Sequence, residues 1–271
     1  MKLVRTLGDP RRAAAAEQLA SMVVQQTHSP PRLRRQNVEG SDPKTGQRFQ
    51  LTNLVFDYRP QAPRAFILAT HYDTRPWAEE DPNPQRREQP LPGANDGTSG
   101  LAVLIELAPL LDAQLPSDVG FTIIAFDGEE LGRPGYGGYC VGSRALAQAI
   151  ETGAFQDLAQ AQFGIVLDMV GGIEMTLPKE PGSLRNHAKL VDDVWQTAQA
   201  RELPSFAPHV HHQAIYDDHT PLTEAGIPSI LLIDHDYAHW HTHADTLDKI
   251  SASSLGSVGE ALRAYLIARY N

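Results

Sequence analysis

The eight residues Val119 to Phe126, VGFTIIAF, constrain the fold most. The run carries no charge, is dense in β-branched and aromatic side chains, and stops at Asp127-Gly128. It reads as a strand buried on both faces, which needs cover on both. Leu51 to Tyr58 and Arg64 to Thr70 read as neighbouring strands joined by a turn over Arg59 to Pro63. Gln162 to Val170 and Ser229 to Ile233 complete the strand set. Helical spacing covers Ala13 to Gln26, Ser99 to about Leu111, Ser143 to Ile150 and Leu184 to Ala200. A short helix, His219 to Ala225, is ended by Gly226 and Pro228, and Ser251 to Tyr270 closes the chain. Strands alternating with helices imply an α/β fold, with a mostly parallel central sheet flanked by helices. Ser29 to Arg35 reads as a basic loop, and Arg75 to Pro92, Pro-rich and aperiodic, as a long surface loop. With no shift in composition, residues 1–271 read as a single domain, with an N-terminal helix and loop, 1–49, packed on it.

Composition removes several classes of function. A net charge of −10 over 271 residues argues against nucleic acid or an anionic membrane as partner, since both need clustered Lys and Arg. The six arginines before position 36 are scattered rather than striped. One cysteine, Cys140, excludes an internal disulfide. The N-terminal stretch lacks the apolar core of a signal peptide, and nothing approaches a membrane span. A cytoplasmic location is the expectation, or a secreted or periplasmic one if a leader was removed.

The chemistry collects where strands give way to loops, the edge on which α/β sheets build sites. Glu129 and Glu130 follow the strand at 119–126. His71 follows AFILAT, Asp96 sits in GANDGTSG before a helix, Asp168 ends GIVLDMV, and His241 lies in HWHTHADT beyond SILLI. Side-by-side carboxylates at such an edge are costly unless a cation or a shared proton compensates them. Histidine and carboxylate ligands scattered in sequence but convergent in space suit zinc. Eight of the eleven histidines fall between His209 and His243, so most cannot be ligands. His211, His212, His235, His239 and His243 read as solvated or as outer-layer groups. Each residue alone has an ordinary reading as a turn, cap or packing group; their joint pattern is much harder to produce by chance.

The series HYDT, GANDGTSGLAVLIELA, FDGEE, LDMVGG and HTHADTLDKI resembles the zinc aminopeptidase family with a carboxypeptidase-like α/β fold. Five separated motifs stand in the family's order over roughly residues 50 to 270. The resemblance implies a three-layer, zinc exopeptidase-like sandwich with a mixed central sheet. It also implies a metal site: Asp96, Glu130 and His241 would hold one ion, and His71 and Asp168, sharing Asp96, a second where two are present. Glu129 would be the general base, and the Asp96-Gly97 peptide would be cis.

Three details resemble the bacterial type of a sister group, the glutaminyl cyclases: the stretch HYDTRPWAEEDPNP, Asp217 ahead of Asp218-His219, and Trp240 directly before His241. That resemblance implies one zinc ion and conversion of an N-terminal glutamine of peptides or proteins to pyroglutamate with release of ammonia. Catalysis would fall to Glu129, Asp168 and Asp217, with the last two as a proton-sharing pair. The glutamine side chain would meet Trp240, Tyr139 and Trp77. The cyclases usually carry a tryptophan near the Cys-x-Gly-Ser motif, where GYGGYCVGSR has Tyr139. The competing readings are a two-zinc aminopeptidase and a non-catalytic binding module on the same fold.

Overall fold

The computed structural model describes residues 5–7, 9, 11–25 and 30–271. Its centre is a six-stranded sheet in the order β1-β2-β4-β3-β5-β8. The strands are β1 (Arg32–Ser41), β2 (Arg48–Tyr58), β3 (Arg64–His71), β4 (Val119–Phe126), β5 (Gly164–Asp168) and β8 (Ser229–Ile233). β4, β3, β5 and β8 run parallel, while β1 and β2 join antiparallel at one side. A second, two-stranded sheet pairs β6 (Leu177–Lys179) with β7 (Phe206–Val210). The expected mixed, mostly parallel sheet is what forms.

Strand periodicity sorts the core into two layers. Leu54, Phe56, Phe66, Leu68, Phe121, Ile123, Ile165 and Leu167 point to one face. There they pack under helices α1 (Arg12–Gln25), α2 (Ser99–Gln114), α4 (Pro181–Ala200) and α6 (Ala252–Tyr270). Val55, Ile67, Ile124, Phe126 and Val166 point the other way, under α3 (Val141–Glu151) and α5 (His219–Glu224). All eight residues of β4 are buried, as a strand with helices on both sides requires. Among the described residues, no helix is long and apolar enough to cross a membrane.

Two sequence expectations need correction. Ser29 to Arg35 is not wholly a loop, because β1 begins at Arg32 and residues 32–41 are part of the sheet, not of a loop packed on it. The segment RLRRQNVEGS has no apolar face, which hid it; it is an edge strand, where charge discourages pairing with other chains. Its arginines are neutralised locally: Arg32 and Arg34 both reach the buried Asp57, and Arg35 reaches Glu17. Second, Arg75 to Pro92 is only partly a surface loop. Arg75, Trp77, Ala78, Asp81 and Leu91 are buried, and only the stretch around the 3₁₀ turn Pro84–Arg86 is exposed. Gln26 and Ser29, at the limits of two expected elements, lie outside the described residues.

Helix α4 starts at Pro181, three residues before the expected Leu184, because Glu180 caps it and proline suits the first helical position. The buried Glu180 carboxylate accepts from the Gly182 amide (2.8 Å), the Ser183 amide and the Ile215 amide (3.0 Å). Burial opposes its ionisation, but the hydrogen bonds from His219, Ser183 and Gly182 outweigh it and hold the group at about 2. A depressed carboxyl stabilises fully above its unfolded value and loses that contribution as pH falls towards its folded value. Glu180→Ala should therefore cost about 1–2 kcal/mol at pH 7. In urea titrations the difference from the parent should shrink between about pH 5 and pH 2.

Candidate active site

Parallel strands release their chains at one edge, and that edge gathers the chemistry. Asp127 follows the end of β4, and its buried carboxylate holds the Arg12 guanidinium, the Tyr72 hydroxyl (2.9 Å) and the Thr52 amide (2.6 Å). Gly128 then turns at φ 77°, and a 3₁₀ turn over Glu129–Leu131 follows. This sharp turn sends the adjacent glutamates to different surroundings. Glu130 is buried, while Glu129 is half-buried and lines a pocket.

The expected metal residues converge. His71 Nε2 lies 3.1 Å from Asp168 Oδ1 and 3.2 Å from Asp96 Oδ1. His241 Nε2 lies 3.6 Å from Glu130 Oε2 and 3.7 Å from Asp96 Oδ2. Two groups of candidate ligand atoms, each within 4.8 Å, therefore share Asp96: His71, Asp96 and Asp168, and Asp96, Glu130 and His241. Close packing keeps them there. A Cβ on Gly97 (φ 77°) would come 2.7 Å from His71 Cε1 and 2.6 Å from Asp73 O. Met169 and His241 hold φ values of 47° and 52°, left-handed conformations that are rare without glycine and gather at functional sites. The Asp96-Gly97 peptide is not cis, against what the resemblance implied.

An outer layer orients this cluster, and most of it was not singled out in the sequence. Glu79 accepts from His241 Nδ1 (2.9 Å), which leaves Nε2 facing the cluster. Arg75, fully buried, donates to Glu79 Oε2 (2.8 Å) and Glu130 Oε2 (2.9 Å). Asp245 accepts from the Asn95 (2.8 Å) and Asp96 (3.2 Å) amides and from Tyr237 (3.0 Å). The Cys140 thiol approaches Glu129 Oε1 at 3.3 Å. Only the four-residue spacing of Arg75 and Glu79 could have flagged their pairing.

The pocket over the cluster is lined by Glu129, Asp168, Asp217, Tyr139, Trp240 and His241, with Ile215, Tyr216 and His235 at its sides. Trp240 stacks on His241 with ring centroids 3.8 Å apart. Trp77 does not line it. Its ring packs with Leu7, Leu51 and Leu131 and lies under the Arg133 guanidinium, 3.5 Å from the centroid, so it braces the loop that carries Arg75. Nor are Asp168 and Asp217 hydrogen-bonded to each other: Asp168 bonds to His71, and Asp217 accepts from the Asp218 amide.

Crowded carboxyls set the electrostatics. Burial and then Asp96 push Glu130 up to about 8, against the opposing pull of His241 and Arg75. Burial and Glu130 push Glu129 well above the carboxylate range. Burial and Asp168 raise Asp96, and the same two causes bring Asp217 up to about 6. Burial disfavours a charged His71, but its hydrogen bonds to the carboxylates of Asp168, Asp73 and Asp96 win and raise it. Glu130 Oε1 is buried with no hydrogen-bond partner. An unpartnered carboxylate oxygen among acids and two imidazoles is a donor set suited to zinc.

The fold is that of the zinc-dependent exopeptidases and the glutaminyl cyclases related to them. The sequence profile of peptidase family M28 matches residues 53–266, and the chain belongs to that family. A glutaminyl-peptide cyclotransferase from Boiga dendrophila is 24% identical over 247 residues, covering 81% of this chain; the chain spans 66% of that protein. The crystal structure of Porphyromonas gingivalis glutaminyl cyclase superposes with a TM-score of 0.88 at 30% identity, over 98% of this chain and 93% of that one. A leucine aminopeptidase precursor from Bacteroides thetaiotaomicron superposes with a TM-score of 0.87 at 28% identity, over 97% and 91%.

Groups that orient a metal-binding histidine typically contribute 10–100-fold in affinity. Glu79→Ala should weaken zinc binding by about that factor, read in a competition titration against a chromogenic chelator, while the circular dichroism spectrum stays unchanged.

Proposed function

We propose that the protein is a zinc-dependent glutaminyl-peptide cyclotransferase, converting the N-terminal glutamine of peptides or proteins to pyroglutamate with release of ammonia. Residues 1–271 act as one catalytic unit in this reading. What supports it above all is the pocket in which Trp240, stacked on His241, faces Glu129, Asp168 and Asp217. An indole there gives a flat apolar wall for the aliphatic part of a glutamine side chain, and it excludes water that would favour hydrolysis. The cyclotransferase and glutaminyl cyclase names among its relatives point the same way.

Asp96, Glu130 and His241 would hold zinc, which when bound polarises the γ-amide carbonyl and stabilises the developing oxyanion. The reaction is intramolecular, so holding the glutamine folded back on its own α-amine supplies much of the rate. Glu129, raised by burial and Glu130, takes a proton from the attacking amine and returns it to the departing ammonia. Asp217, raised to about 6 by burial and Asp168, would exchange a proton or a hydrogen bond with the amine. Asp168 bonds to His71 and lines the same wall. Tyr139 lines the pocket and presents its ring to Arg75, 5.6 Å from the centroid.

One observation favours a second reading, a two-zinc aminopeptidase: His71, Asp96 and Asp168 form a complete second ligand group beside the first. Metal content and substrate choice separate the two. The cyclase reading expects one tightly held zinc and ammonia release from a glutamine-initiated dipeptide. Two tightly held ions with cleavage of a leucine anilide, and no ammonia between pH 6 and 9, would overturn it. Under the cyclase reading Glu129→Gln should lower kcat by about 10²–10⁴-fold while zinc content is unchanged. Full activity in that variant would refute the proton-shuttle role.

A further inference from the structure

Outside the reaction cluster, among the described residues, His211, His235 and Asp236 bring candidate metal-ligand atoms within 4.8 Å of one another. His211 follows β7, its amide bonded to Lys179 O at 3.0 Å. Its Nδ1 lies 2.8 Å from Gln213 O. The Gln213 amide also approaches that nitrogen, at 3.3 Å, but a carbonyl oxygen can only accept, so the shorter contact puts the proton on Nδ1. Nε2 is then a bare lone pair. It is buried, on a side chain 3% exposed, without a hydrogen-bond partner, and 3.6 Å from Asp236 Oδ1. The His235 ring stands 5.6 Å from that of His211. An imidazole fixed at one nitrogen by a backbone carbonyl and free at the other is how proteins present histidine to metals.

We propose that His211, His235 and Asp236 bind a second, exchangeable divalent ion of the zinc class. Two imidazole nitrogens and one carboxylate oxygen, with a position left for water, suit that class. The placement gives the ion a task. His211 opens the segment that carries Ile215, Tyr216 and Asp217, while His235 opens the segment that carries Trp240 and His241. His235 itself lies 5.2 Å from the Trp240 ring. A bound ion ties these two loops together across the mouth of the pocket. This holds whichever reaction the pocket runs.

The test is a calorimetric titration of Zn2+ into protein already carrying its tightly held zinc. The parent should take up one further, weaker equivalent. His211→Gln and Asp236→Ala should each weaken that equivalent by at least about tenfold and leave the tightly held zinc in place. Absence of a further equivalent overturns the site. Binding changed less than tenfold by Asp236→Ala also overturns it, since the ion would then belong to His71, Asp96 and Asp168. Should His211→Gln fail to fold, Asp236→Ala decides alone, because that side chain is 73% exposed.

Discussion

Like-charge repulsion at the carboxyl edge of the sheet is the constraint from which the rest of the site follows. Asp96, Glu129, Glu130 and Asp168 meet there because the parallel strands β3, β4 and β5 discharge at one edge, and the segment between β7 and α5 brings Asp217 to the same pocket. Water cannot screen buried acids, so each must share a proton, find a cation or shift its ionisation. The structure uses all three. His71 and His241 stand between carboxylates, Arg75 holds Glu130, and Glu129 and Asp217 rise towards the range in which they can carry protons. Metal binding and proton transfer are thus two outlets of one electrostatic problem.

The contrast between Glu129 and Glu130 shows how little backbone is needed to separate the two outlets. Neighbours in sequence, they diverge because Gly128 reverses the chain and a three-residue turn replaces a helix. Glu130 turns inwards to Arg75, His241 and Asp96, while Glu129 stays at the pocket wall beside Cys140. Strain at His241 belongs to the same design, since its side chain reaches Asp96 and Glu130 from a left-handed backbone.

Much of this was legible in the residues. β4 is unmistakable because full burial demands an unbroken apolar run, and His71, Asp96, Glu130, Asp168 and His241 announce themselves by lying at element ends. β1 was hidden because an edge strand has no apolar face to betray it, and β6 and β7 are too short for a periodic signal. The outer layer was hidden for a different reason. Glu79 and Asp245 act through distances across 162 and 150 residues of chain, which no local pattern encodes. Trp77 was misplaced because an aromatic residue in a polar loop looks the same whether it faces a ligand or, as here, a guanidinium and a small core.

Arg75 differs from every other partner of the acids in that its charge cannot be titrated away under physiological conditions. The cluster therefore never has to assemble as a set of wholly uncompensated carboxylates. Small zinc domains fold only when the ion arrives; a chain with a resident guanidinium can close its core first and acquire the ion afterwards. Metal loading then becomes a late and reversible step, governed by the supply of ions around the finished protein rather than by the moment of its synthesis.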